Sequence, residues 1–139
     1  MNSRKYKIFV VDDNQMFVKV LQKYLSDNDQ YEVFPFLSAR DFLARLDKKP
    51  DIVSLDYTLP DGNGKDLLLA IKDVSPSTEV IIVSGQSDIN TAIELLKIGA
   101  YDYIVKGVDT REKISIAINK IIEKMELKEE NTLLRQAVR

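Results

Sequence analysis

The sequence contains no histidine and no cysteine. Zinc sites therefore lose their usual ligands, Ser–His and Cys–His nucleophilic pairs cannot be built, and the chain cannot itself carry phosphohistidine. A disulfide framework is ruled out as well, which fits a cytosolic protein and an expected cytoplasmic location. Also missing is an excess of either charge: 20 basic residues against 22 acidic ones leave a formal −2. Nothing there points to direct nucleic-acid binding or to an anionic membrane. No apolar run approaches the roughly 20 residues that span a bilayer. A strand follows the charged start at Arg4 and Lys5, so no signal peptide is read there. The chemistry that remains must use carboxylates, hydroxyls, lysine or backbone. Oxygen ligands of that kind suit magnesium, manganese or calcium.

A chain of 139 residues is about right for one domain with a single core. Its periodicity alternates between strand and helix. Apolar runs at Lys7 to Val11, Tyr31 to Phe36, Ile52 to Leu55, Glu79 to Val83 and Tyr101 to Val105 read as five strands. Gln15 to Leu25 is helical, with Phe17, Val20, Leu21, Tyr24 and Leu25 as the expected buried stripe. Ser38 caps a short helix carrying Phe42, Leu43 and Leu46, and Lys65 to Val74 packs Leu67, Leu68 and Ile71. Ser87 or Asp88 caps a helix through Ile98 that Gly99 stops, and Asp109 or Thr110 opens the last helix. Strands alternating with helices predict an α/β fold: a doubly wound, five-stranded parallel sheet of flavodoxin-like (βα)5 type. No internal repeat or low-complexity segment interrupts it.

Acids fall at the strand ends. The first strand runs into Asp12, Asp13 and Asn14, and the third ends on Asp56, ahead of the turn cluster Pro60 to Gly64. In the commonest five-strand order these two strands are neighbours, and ligands sit at the carboxyl ends of such sheets. Several carboxylates at one edge repel unless a hard divalent cation or a proton relieves them. Ser84 follows the fourth strand and Lys106 the fifth. A carboxylate nucleophile, a metal-binding acidic pair, a hydroxyl and a point cation are what phosphoryl transfer needs. Each residue also has a plainer reading. Asp12 and Asp13 could cap the first helix, Asp56 could form a turn, and Lys106 could be a solvated surface residue.

These residues, in this order, carry a resemblance. Val10-Val11-Asp12-Asp13-Asn14, Asp56 with Leu59-Pro60 and Gly64, Ser84-Gly85, and Gly99-Ala100-Tyr101-Asp102-Tyr103-Ile104-Val105-Lys106 resemble the response-regulator receiver domain of bacterial two-component signalling. The likeness covers about residues 6–125. It implies that Asp56 accepts a phosphoryl group from the phosphohistidine of a sensor histidine kinase or phosphotransfer protein. It implies that Asp12, Asp13, Asp56 and the backbone carbonyl of Thr58 hold Mg2+, with Mn2+ as a substitute. Lys106 is then expected to pair with a phosphoryl oxygen and Ser84 to hydrogen-bond it. Tyr103 would swing inward and alter the face made by the fourth helix, fifth strand and fifth helix. Thr58 and Gln86 would influence how fast the phosphoryl group is hydrolysed. Such a domain is a switch with autophosphorylation and autodephosphorylation activity only, not an enzyme acting on an external substrate. The sequence departs from the family's usual Lys-Pro at Lys106-Gly107. A cis bond there costs about 2.5–4 kcal/mol without proline. The expectation is therefore either that cost or an unusual Gly107 backbone angle in trans.

Two other classes meet part of this pattern. A phosphatase of the haloacid-dehalogenase type also uses a strand-end Asp but needs a second Asp two residues on, where this chain has Thr58. A receiver-like interaction module that never carries phosphate would not require Asp12, Asp13, Asp56, Ser84 and Lys106 together.

The last helix has two faces. Ile114, Ile118, Ile121, Ile122 and Met125 form a stripe expected to dock on the sheet, while Leu127, Asn131, Leu134 and Val138 form another line. At about 100° per residue Met125 and Leu127 point to nearly opposite sides. The expected division is a receiver over residues 1–125 and, over 126–139, a helical extension or linker toward an output domain. That linker resembles those of regulators carrying an AAA+ ATPase and a DNA-binding domain. Asn131 among apolar positions is a device for fixing register in a two-stranded coil, so a homodimer is expected through this helix or through the switch face. A charged helical end that frays in water is the competing reading.

Overall fold

The structure, a computed structural model, describes residues 4–137. Strands β1 (Tyr6–Val11), β2 (Tyr31–Phe36), β3 (Ile52–Asp56), β4 (Glu79–Ser84) and β5 (Asp102–Val105) alternate with helices α1 (Gln15–Ser26), α2 (Ala39–Leu43), α3 (Gly64–Val74), α4 (Ile89–Ile98) and α5 (Thr110–Ala137). The five strands form one parallel sheet in the order β2-β1-β3-β4-β5. This is the flavodoxin-like order, with its crossover reversal between β1 and β3.

Alternation along each strand splits the core into two layers. Tyr6, Ile8, Val10, Ile52, Ile81 and Ile104 pack with Val18, Leu21 and Leu25 of α1 and Ile114, Ile118 and Ile121 of α5. Phe9, Val11, Val53, Leu55, Val80 and Ile82 face the other way, onto Phe42, Leu46, Leu67, Leu68, Ile71 and Leu95. Central strands buried on both faces are the reason these runs are continuously apolar.

Three details differ from the sequence reading. In α1 the buried positions are Val18, Leu21 and Leu25, while Val20 and Tyr24 are exposed. The helix is turned so that this flank meets the start of α5: the Arg111 guanidinium lies 5.1 Å from the Tyr24 ring centre. Helix α2 stops at Leu43, which is exposed, and a 3₁₀ turn at Leu46–Lys48 then buries Leu46. A two-residue ladder, Thr58–Leu59 against Gly62–Asn63, closes the loop after Asp56.

Capping fixes where each helix starts beside the sheet edge. Asn14 caps α1 by accepting from the Phe17 N–H, so neither Asp12 nor Asp13 is used for that purpose. Ser38 caps α2, Asn63 caps α3 and Asp88 caps α4. Asp61 adds a cap absent from the sequence reading, its carboxylate accepting from the Ala39 and Arg40 N–H groups at 2.9 and 3.0 Å. These hydrogen bonds hold its carboxyl below the ordinary aspartate range and tie the loop after Asp56 to the start of α2. Gly99 ends α4 at φ 129°, where a Cβ would be strained.

Helix α5 continues without a break across residues 125 and 126. Met125 is half-buried while Leu127 and Leu134 are exposed. The extension is fastened at the amino-terminal edge of the sheet. Arg4 pairs with both Asp51 and Glu129, and Lys124 Nζ lies 2.6 Å from Glu79 Oε2. Val138 lies outside the described residues. Among the described residues no helix is long and apolar enough to cross a membrane.

Candidate functional site

Strands β1 and β3 are hydrogen-bonded neighbours, so their carboxyl ends deliver Asp12, Asp13 and Asp56 to one place. One carboxylate oxygen from each lies within 4.8 Å of the others. Asp12 is 2% exposed and Asp56 7%, whereas Asp13 faces solvent. Lys106 follows β5 and reaches back, its Nζ 2.9 Å from Asp12 Oδ2 and 3.6 Å from Asp56 Oδ2. The Phe17 ring lies beside that ammonium, 5.2 Å from ring centre to nitrogen.

The electrostatics follow from this crowding. Burial pushes the Asp56 carboxyl up to about 6, and the charge of Asp12, then that of Asp13, pushes the same way. Lys106 and the Thr58 N–H, 3.4 Å from Asp56 Oδ1, oppose the rise without cancelling it. For Lys106, burial acts to lower the pKa, but Asp12 and Asp56 outweigh it and hold the ammonium above the usual lysine range. Asp12 Oδ1 accepts from the Asn14 N–H. Asp12 Oδ2 is buried and has no hydrogen-bond partner among the described residues. Its contact with Lys106 is an ion pair outside hydrogen-bond alignment. An orphaned buried carboxylate oxygen, one of three hard donors in a cluster, fits a divalent cation such as magnesium or calcium.

The other residues singled out from the sequence flank this cluster. Ser84 ends β4 beside the Asp56–Val83 register pair, and its Oγ accepts from the Gln86 N–H at 3.1 Å. The Tyr103 ring is half-buried, and its hydroxyl donates to the Gln86 carbonyl at 2.8 Å. One residue, Gln86, thus joins Ser84 to Tyr103 through its backbone. Thr58 and Gln86 are both exposed at the rim. The Lys106–Gly107 bond is trans, and Gly107 has no positive φ. Both costs anticipated for this departure are therefore avoided. Thr110 Oγ1 steadies the turn by bonding the Gly107 N–H and carbonyl at 2.6 and 2.7 Å.

Gly64 anchors the loop that carries Thr58. Its N–H donates to the Tyr57 carbonyl at 2.7 Å, and a Cβ there would stand 2.8 Å from Tyr57 Cδ1 and 3.0 Å from Tyr57 Cα. Backbone cannot yield as a side-chain tip can. Gly64→Ala is expected to lower stability by about 1–3 kcal/mol and to weaken magnesium binding by displacing the residues after Asp56. Thermal melting with and without magnesium measures both effects.

The fold and this site define a flavodoxin-like α/β domain with an acidic pocket at its topological switch point. The chain belongs to the response regulator receiver domain family, whose signature matches residues 8–119. It is 31% identical over 129 residues to the DNA-binding transcriptional regulator NtrC of Proteus hauseri, covering 92% of this chain and 27% of NtrC. To the chemotaxis protein CheY of Thermotoga maritima it is 31% identical over 117 residues, covering 83% of this chain and 96% of CheY. Among solved structures it superimposes on the beryllofluoride-activated DrrB receiver domain with a TM-score of 0.78 at 30% identity, covering 86% of this chain and 98% of that one. The chain thus spans about a quarter of NtrC's length and nearly all of CheY's.

Proposed function

We propose that this receiver is a phosphorylation-dependent switch whose acceptor is Asp56. The observation that carries the reading is the convergence of Asp12, Asp13, Asp56 and Lys106 from three strand ends within hydrogen-bonding and ion-pairing reach. An Asp56 carboxylate oxygen attacks the phosphorus of a phosphohistidine on a sensor kinase or phosphotransfer protein. The P–N bond breaks, its electron pair stays on the imidazole, and an acyl phosphate remains on Asp56. Asp12, Asp13, Asp56 and the Thr58 carbonyl hold Mg2+, which supplies the positive charge that offsets the acidic cluster and the phosphoryl oxygens. Lys106 shifts from the carboxylates to a phosphoryl oxygen.

Ser84 Oγ turns from the Gln86 N–H toward the phosphoryl group. The Gln86 backbone links that motion to Tyr103, and through it to the α4–β5–α5 face. Exposed apolar side chains stand on these elements: Ile89 is 71% exposed and Ile116 54%, and Ile93 and Leu96 are exposed on α4. Thr58 and Gln86, at the rim, set how readily water reaches the acyl phosphate. The output is control of dimerisation through this face or through the Leu127–Leu134 side of α5, leading to a transcriptional output domain like that of NtrC. The chain has no catalytic role on an outside substrate and works in the cytoplasm, where histidine kinases present their phosphorylated domains.

Titration with beryllofluoride and magnesium, which mimic the phosphorylated state, tests the reading. Amide shifts at Ser84, Gln86, Tyr103 and along α4 are expected, saturating at one equivalent. Spectra that do not change when both are present would sink it.

A further inference from the structure

The β1–β2 edge of the sheet is incompletely covered on its α2 side, and chain lengths explain why. Strand β2 has six residues and runs about 20 Å. The five-residue helix α2 on that side rises only about 7.5 Å. It brings down Phe42, whose ring meets Phe9 and Phe36 at centroid distances of 6.2 and 6.1 Å, and then the chain turns away. Phe34, the register partner of Phe9 on the edge strand, is left 38% exposed.

The result is a half-open groove of about 470 Å³. Its floor is Phe9, Phe34, Pro35 and Phe36, with Phe34 and Phe36 rings 5.6 and 4.8 Å from that of Phe9. Its rim is Lys7, Arg45 and Lys48, all exposed. None of these three cations has an ion-pair partner among the described residues. Glu32, opposite Lys7 in register and exposed on the same face, supplies a single opposing carboxylate. The volume falls within the usual range of small-molecule sites, about 300–1,000 Å³. A floor three rings wide is far short of the roughly 800 Å² per partner of a stable protein interface. None of the lining residues belongs to the acidic pocket.

We propose that this groove binds a small aromatic anion, its ring system stacked on Phe34 and Phe36 and its one acidic group held by Arg45 and Lys48. Edge-to-face and offset contacts favour an aryl body, and three unpaired cations around an apolar floor favour a carboxylate, sulfonate or phosphate on it. The site does not depend on phosphorylation of Asp56.

The test uses 8-anilinonaphthalene-1-sulfonate as the probe on the full chain, followed by fluorescence and by amide shifts. Saturable binding at one equivalent is expected, with shifts centred on Phe9, Phe34 and Phe36. The charge-reversing pair Arg45→Glu with Lys48→Glu, and separately Phe34→Ser, should each weaken binding at least tenfold. All three positions are exposed, and melting curves verify that the variants fold. No saturable binding, shifts centred on the α4–β5–α5 face, or wild-type affinity in either variant would overturn the proposal. Beryllofluoride titrations of the same variants should match wild type, so failure of this site and failure of the switch reading are separately visible.

Discussion

Asp56→Asn is expected to abolish labelling by a phosphodonor such as acetyl phosphate while making the metal-free protein more stable at neutral pH. The first effect follows because the amide offers no carboxylate oxygen as nucleophile. The second comes from linkage. The Asp56 carboxyl has an ordinary value of 3.8 but is held at about 6 in the fold. A raised carboxyl favours the protonated folded state. Its stabilising contribution is fully present below about pH 4, is lost as pH rises to about 6, and stays lost above that. Ionised Asp56 therefore burdens the metal-free fold at pH 7.5, and the isosteric amide removes the burden. A shift of this size corresponds to an effect on the order of 3 kcal/mol. Melting curves between pH 4 and 8 should show a downward slope in wild type that is absent in the variant. Added magnesium should stabilise wild type and leave Asp56→Asn nearly unchanged. Equal labelling of the two proteins would end the acceptor assignment.

Lys106→Ala should act in the opposite direction on stability. Among the described residues it withdraws the one cation that touches both Asp12 and Asp56, leaving a buried carboxylate oxygen with no partner there. Truncating one member of a buried charge pair costs about 3–5 kcal/mol. Because the Lys106 side chain is 31% exposed, solvent screening reduces that to about 1–3 kcal/mol. The penalty should shrink as pH falls below about 6, where Asp56 takes up a proton. Labelling should slow on the order of 10²-fold, the usual loss when one donor to a developing negative charge is removed. Lys106→Arg should not rescue it, since a planar, delocalised guanidinium fork does not replace a compact ammonium charge at one point. The distinguishing result is with metal. Without the competing ammonium, the three carboxylates should gain more stability from magnesium than wild type does. A smaller magnesium-induced melting shift in Lys106→Ala would show that the lysine is not the resident counter-charge of this pocket.

Much of the fold could be read along the chain because the strands are buried on both faces. Such strands announce themselves as continuous apolar runs, and β1 and β3 begin and end within a residue of where the pattern puts them. Helices with an amphipathic stripe were legible in type but less so in phase. The α1 stripe was displaced because Val20 and Tyr24 look toward α5, not the sheet, and no local pattern reveals which neighbour a helix flank meets. Leu43 fails for a related reason: α2 ends there, and the next apolar contact is made by Leu46 from a 3₁₀ turn. Asp61 was invisible as a cap because its partners at Ala39 and Arg40 lie 22 and 21 residues away.

The sequence alone determined the order of strands and helices, the residue types at the strand ends, and the exclusion of histidine and cysteine chemistry, because periodicity and composition are local properties of a chain. Tertiary structure decided the rest. The pairing of β1 with β3 closed the acidic cluster, Lys106 came to lie between Asp12 and Asp56, Gln86 was set between Ser84 and Tyr103, and Phe34 was left uncovered by a helix too short to reach it. Those outcomes depend on distances between segments far apart in sequence, and only the packed sheet sets such distances.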